Sequence, residues 1–307
     1  MFASLIMAAA ALAQLNPVVI PLGKPRQVEQ ARAPISTNGP LWALECKDHE
    51  DEWDKPAPPV RIHGNTYYIG TCGISAILIT GSAGHVLIDG GTERGADLIA
   101  ANIRELGFRV SDIRFILSSH EHPDHAGGIA KLQRMSGATL ITSPAAAKVF
   151  NSGVPSAGDP QYGLTKGFPP AVAGRTVGDG DEVRLGDLML QAIATPGHTA
   201  GALSWRWVSC DGGVCRTIVY ADSLTPVSND SYRFTDHPEL VAAFRASIAR
   251  IADSPCEVLV TPHPSASGLL ARFALGKTLL EEQACRAYAV DRTKMLDERL
   301  AKEAAKK

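Results

Sequence analysis

The hydrophobic pattern changes character along this chain. After an apolar start, residues 14 to about 60 carry scattered Pro and charge with no sustained period, and predict an irregular segment packed over the body of the protein. From Tyr67 the texture becomes short and β-rich: "TYYIG", "SAILIT" and "HVLIDGG", divided by Gly, predict strands of a meander. "ERGADLIAANIRELG" places Leu98, Ile99, Ile103 and Leu106 at helical spacing and ends at Gly107. "IRFILSS" predicts a strand, "AGGIAKLQRMSG" a helix and "ATLITSP" another strand. Residues 151–180 are dense in Gly and Pro and predict a long loop. Strand patterns return in "EVRLGDLMLQAIATPGH", "GALSWRWVSC" and "RTIVYADS"; "HPELVAAFRASIARIA" predicts a helix, "CEVLVTPH" a buried strand, and the stretch from Leu275 to the C-terminus a long helix with a solvated tail. Two groups of strands, each with helices, predict one α/β sandwich domain over residues 61–307.

Composition adds little to that picture except by exclusion. Apolar residues make up 45% and charged residues 20% of the 307, and the net charge is -2. No long basic block exists to serve a nucleic-acid partner. The N-terminus does change the picture. "MFASLIMAAAALAQLNP" has no charge, and the first charged residue is Lys24. The run is too short to span a bilayer and resembles the apolar part of a secretory signal, residues 1–13, cleaved near Ala13, although no Lys or Arg precedes it. No Cys follows it, so no membrane anchor is expected. Six cysteines (Cys46, Cys72, Cys210, Cys215, Cys256 and Cys285) in an exported chain suggest disulfides, with local pairing plausible across the turn between Cys210 and Cys215. None forms a C-x-x-C pair, which argues against a cysteine zinc site.

The candidate chemistry lies in "SSHEHPDHAGG". Three of the chain's nine histidines fall within six positions, with an aspartate among them. In an extended segment leaving a strand, alternate side chains share a face. His120 and His122 can therefore hold one metal, and Asp124 and His125, past Pro123, a second. His198 in "ATPGHTAG" and His263 in "LVTPHPS" also follow strands and complete two sets of three: His120, His122 and His198; Asp124, His125 and His263. Three protein ligands leave a position open for water, the arrangement of catalytic rather than structural zinc. His49, His63, His85 and His237 stand alone as surface or loop residues.

H-x-H-x-D-H after a strand, with later strand-end histidines, resembles the metallo-β-lactamase superfamily from about Tyr67 to the C-terminus. The resemblance implies an αββα sandwich with two zinc ions at one edge. "GHTAG" and "YADSLT" are similar to motifs of the subclass B3 enzymes, in which a zinc-binding cysteine of other subclasses is absent; Ser223 stands at that position here. That likeness implies Cys256–Cys285, Cys46–Cys72 and Cys210–Cys215 bridges. It also implies hydrolysis of β-lactam antibiotics (penicillins, cephalosporins, carbapenems) by a metal-bound hydroxide that Asp124 orients, in a periplasmic monomer whose one partner is its small-molecule substrate. Lowering the pKa of water from 15.7 to about 7 is worth roughly 12 kcal/mol. Ser223 and Thr225 are candidates to dock the drug's carboxylate, with the 151–180 loop and the Trp42 region as cleft walls. Asp222 resembles the metal-bridging aspartate of lactonases and glyoxalase II-type thioesterases, the alternative activities; the β-lactamase reading makes it a supporting residue behind a ligand.

Overall fold

The computed structural model describes residues 38–275 and 279–305. The signal expected over residues 1–13 lies outside them. Two sheets stack face to face. The first has seven strands in sequence order: β1 Val60–His63, β2 Thr66–Tyr68, β3 Ile77–Gly81, β4 Gly84–Ile88, β5 Ile113–Leu117, β6 Thr139–Thr142 and β7 Ala173–Thr176. The second runs β12 Val258–Val260, β11 Val214–Tyr220, β10 Leu203–Asp211, β9 Leu188–Ala194, β8 Glu182–Leu185. The first four strands form the antiparallel meander that the sequence predicts; β4, β5, β6 and β7 then run parallel, with α2 Gly95–Glu105, α3 Pro123–Ala126, α4 Ile129–Ser136 and α5 Pro144–Ser152 in the connections. In the second sheet only β11 and β12 are parallel, joined through α6 Pro238–Asp253.

Strand periodicity decides which side chain enters which layer. Ile77 and Ile79 of β3 and Val86 and Ile88 of β4 face the second sheet, where they meet Leu190, Trp205, Ile218 and Val260. Leu78 and Leu87, between them, face outward under Ile99, Ile103, Ile129 and Phe150 of the helices. The second sheet repeats the device, with Ile218 and Tyr220 inward and Val219 and Leu259 outward against Phe244, Ile248 and Tyr288. Strands buried on both faces read as unbroken apolar runs, which is why "SAILIT" and "HVLIDGG" lack alternation. The result is helices on both outer faces of two packed sheets.

Four expectations change. Residues 14–60 are not irregular throughout, because α1 occupies Gly39–Cys46 with Pro40 in its first turn. Trp42 of that helix is no cleft wall; it is fully buried, edge-on to Tyr68 and Phe273. The 151–180 loop ends early, at β7. The C-terminal helix does not begin near Leu275. A short α7 spans Leu269–Ala274, and α8 begins at Ala284 and runs to Ala304. Before α8, Leu280 bridges to Val258 and Glu281 N–H donates to the carbonyl of Glu257, so these two residues cover the open edge of β12. The three disulfides pair as the resemblance implies: Cys46–Cys72, Cys210–Cys215 and Cys256–Cys285. Among the described residues no helix is long and apolar enough to cross a membrane.

Candidate metal centre

All the clustered residues sit where strands end at one edge of the two sheets. Residues 118–122 leave β5 extended, and Pro123 then opens the single turn of α3 that carries Asp124 and His125. This turn is sewn to the "DGG" loop after β4: Gly90 N–H donates to the carbonyl of His125 and Gly128 N–H to that of Gly91. Gly128 must lack a side chain, since a Cβ there would stand 2.1 Å from the carbonyl oxygen of Gly90. The second sheet is fastened to the same segment. Leu203 N–H donates to the carbonyl of Ser119 at 2.7 Å and Trp205 Nε1 to that of Ser118 at 2.9 Å. His198 sits in the turn between β9 and β10, and His263 follows β12 directly.

The ligand atoms of His120, His122 and His198 lie within 4.8 Å of one another, and so do those of His120, Asp124 and His125. His263 Nε2 is 3.3 Å from His125 Nε2 and 3.4 Å from Asp124 Oδ2, which is itself 3.0 Å from His125 Nε2. All six residues chosen from the sequence therefore converge. His263 alone is substantially exposed, 34% at its side chain, and marks the mouth of the site. The other histidines stay away. His49 pairs with Glu52, His63 bonds the carbonyl of Val214, and His237 stacks on Tyr232. His85 is the correction among them: it is buried in β4 against Phe108.

What the imidazoles can do follows from what stands behind each. His120 Nδ1 is 2.8 Å from Asp222 Oδ1, His198 Nδ1 2.8 Å from the carbonyl of Thr225, His122 Nε2 3.0 Å from Asp159 Oδ2, and His263 Nδ1 3.2 Å from the carbonyl of Gly73. Each of these partners only accepts, so each of these nitrogens carries the proton. Wherever the ring is neutral, the opposite nitrogen is left with a lone pair: Nε2 of His120, Nδ1 of His122, Nε2 of His198 and Nε2 of His263. Burial alone would lower His122, but the Asp159 carboxylate beside it outweighs burial and raises it. Burial, together with repulsion from neighbouring histidines, holds His120 well below the usual imidazole pKa and His198 at about 3. Both are neutral at pH 7. Burial opposes ionisation of Asp124, but His125 beside it outweighs burial and holds the carboxyl well below its usual range. Converging lone pairs, an anionic oxygen and tautomers fixed from behind suit a divalent cation, and nitrogen with oxygen donors suits zinc. His125 Nδ1 and Ser223 Oγ are buried at the site without a hydrogen-bond partner.

Several contributors escape a reading of sequence. Asp159, in the loop between α5 and β7, stands behind His122. Glu121 faces away from the histidines, accepting from Thr199 Oγ1 at 2.8 Å and Gly201 N–H at 3.1 Å, and burial pushes its carboxyl up to about 7. Asp89, with a left-handed φ of 63°, accepts from Ser119 N–H, Ser119 Oγ and Tyr220 OH, and burial pushes it up to about 6. Only the composition of "DGG" and the neighbourhood of the histidines signalled these residues, and neither names a partner. Asp222 stands with Oδ1 2.8 Å from His120 Nδ1, and its Oδ2 is buried without a hydrogen-bond partner.

A family model described as the metallo-beta-lactamase superfamily matches residues 69–263. Among solved structures, the metallo-β-lactamase MIM-1 from Novosphingobium pentaromativorans is 50% identical, with a TM-score of 0.84, over 86% of this chain and 98% of that one. MEM-A1, a subclass B3 metallo-β-lactamase from a soil metagenome library, is 44% identical, with a TM-score of 0.81, over 83% of this chain and 100% of that one. A hydroxyacylglutathione hydrolase of Brucella anthropi is 32% identical over 110 residues, 36% of this chain and 34% of its own length. The chain thus spans about a third of that curated relative.

Proposed function

The chain belongs to the metallo-β-lactamase superfamily, and we propose that it hydrolyses the β-lactam ring of penicillins, cephalosporins and carbapenems, using two zinc ions. His120, His122 and His198 would hold one ion; Asp124, His125 and His263 the other. Zinc bound there acidifies water and polarises a carbonyl. The protein's own residues do the rest. Asp222, Asp159 and the carbonyls of Thr225 and Gly73 keep the ligand nitrogens deprotonated on the cation side. Asp124 orients the attacking water. Ser223, whose hydroxyl is unpaired, and Thr225, beside His198, dock the substrate carboxylate. We infer from the apolar start of the chain an export signal, with the enzyme acting in the periplasm, and we propose that it acts as a monomer.

One observation carries this reading over a lactonase or glyoxalase II-type thioesterase. A bridging aspartate must face the cations, whereas Asp222 spends Oδ1 on the proton-bearing Nδ1 of His120, 2.8 Å away, and has only Oδ2, buried without a hydrogen-bond partner, left for any other contact. The partial likeness to hydroxyacylglutathione hydrolases keeps the thioesterase as the rival to test. The experiment is turnover of a chromogenic cephalosporin by the purified protein, with and without a chelator, beside a thioester and a lactone. Ring opening that the chelator abolishes and zinc restores is expected. Turnover of thioester or lactone with an intact cephalosporin would replace the proposal.

A further inference from the structure

The loop between α5 and β7 is exposed at Val154, Tyr162 and Leu164 but buried in its middle, at Asp159 and Pro160. Its ends are closed by Phe168 N–H on the carbonyl of Gly153 and Ala171 N–H on that of Phe150. Its middle is fastened to the rest of the protein through Asn229 and Asp159. Asn229 donates from its backbone N–H to the carbonyl of Pro160 at 2.9 Å and from Nδ2 to that of Tyr162 at 2.8 Å. The other is Asp159, whose Oδ2 accepts from His122 Nε2 while Oδ1 accepts from Gln161 N–H at 2.7 Å. Gln161 then lies with Nε2 3.5 Å from Nε2 of His198, a member of the three-histidine set. One carboxylate thus makes the turn that presents Gln161 and, with its other oxygen, fixes the tautomer of a proposed ligand.

We infer that Asp159 is a positioning residue that couples this loop to the three-histidine set, so that how tightly the set holds a divalent cation depends on where the loop tip lies, and the reverse. Coupling of this kind is reciprocal. The inference rests on the metal-site reading above. Its chemistry is specific: in Asp159→Asn a single carbonyl oxygen must choose between Gln161 N–H and His122. If the turn keeps the oxygen, the amide NH2 faces His122 Nε2 and stabilises the wrong tautomer, with the proton on the Nδ1 that must face the cation.

The test uses the full protein stripped of metal and titrated with zinc against a chromophoric chelator, with hydrogen exchange followed over residues 154–165. Asp159→Asn and Asp159→Ala are expected to weaken zinc binding at the three-histidine set about tenfold to a hundredfold. In the wild type, zinc slows exchange in the loop; in Asp159→Ala that response disappears. Long-range nitrogen–proton spectra of the metal-free wild type, which need no variant and are recorded at a pH where the His122 ring carries a single proton, are expected to place that proton on Nε2. Wild-type zinc affinity in both variants, an unchanged loop response in Asp159→Ala, or an Nδ1-protonated His122 each overturns the inference while the proposed activity stands. A wild type that binds no zinc removes both.

Discussion

Glu121 lies between two proposed ligands in sequence and performs a different task from either. Its buried carboxylate holds the His198 turn by a hydroxyl and a backbone N–H, and Ser143 Oγ grips the same turn from the other side at the carbonyl of Gly201. Gly201 has no room for a Cβ, which would stand 2.6 Å from Ala146 N and 2.7 Å from Glu121 Oε2. Glu121→Ala leaves the Thr199 hydroxyl and the Gly201 N–H unpaired in a buried place, at about 1–3 kcal/mol for each group. Glu121→Gln keeps both contacts, since its carbonyl accepts from Gly201 and its NH2 donates to Thr199. Urea unfolding should therefore show Glu121→Ala clearly destabilised and Glu121→Gln near wild type; equal stability of the alanine variant and the wild type would remove the tether from the account. At this scale the sequence discloses side chains whose chemistry is rare. Three histidines and an aspartate in six positions announce a cation. A lone Glu121 or Asp159 has meaning only through the residue it meets, 80 or 37 positions away in the chain.

Elements show where periodicity informs and where it stops. The strands and amphipathic helices were legible because burial on one or both faces writes itself into the apolar spacing. The start of α8 was not, because Leu279 and Leu280 have the same apolar character whether they coil or run beside a strand; the open edge of β12 decides, and it belongs to another part of the chain. The other end of α8 has its own electrostatic fastening. Glu303, nearly buried, accepts from Arg299 Nε at 2.5 Å, Thr235 N–H at 2.9 Å and Phe234 N–H at 3.1 Å. Burial opposes its ionisation, but these bonds prevail and hold the carboxyl below the usual range. With a folded pKa below the unfolded value of about 4.3, the stabilisation is complete above the unfolded pKa and is lost as pH falls through the folded one. The stability difference between wild type and Glu303→Gln, measured by denaturant titration, should therefore be largest near pH 6–7 and shrink towards pH 3. A difference independent of pH would mean that shape, not charge, fastens the helix.

At the scale of the molecule the site is a seam. The first sheet delivers His120, His122, Asp124 and His125 from the end of β5, and the second delivers His198 and His263 from the turn after β9 and the end of β12. Protein bonds already cross the seam, from Tyr220 OH to Asp89 Oδ2 and from Leu203 N–H to the Ser119 carbonyl. Cations held by both sets would add ligands from both sheets, and a cation that binds the folded chain alone stabilises it by mass action, about 4.1 kcal/mol at a thousand times Kd. For a chain of 307 residues, whose unfolding entropy is about 2.1 cal/mol/K per residue, that raises Tm by roughly 6 °C. Because each proposed ion joins residues of both sheets, the gain must appear in the unfolding of the whole sandwich as one transition, not in local melting of the "HEHPDH" segment. Scanning calorimetry of chelator-stripped protein, repeated after zinc is returned, should show a single endotherm moving upward. An endotherm that stays put, or a split in which only a minor part moves, would mean that the cations decorate one sheet, and that the pairing of His198 and His263 with the first-sheet cluster does not describe how metal is held.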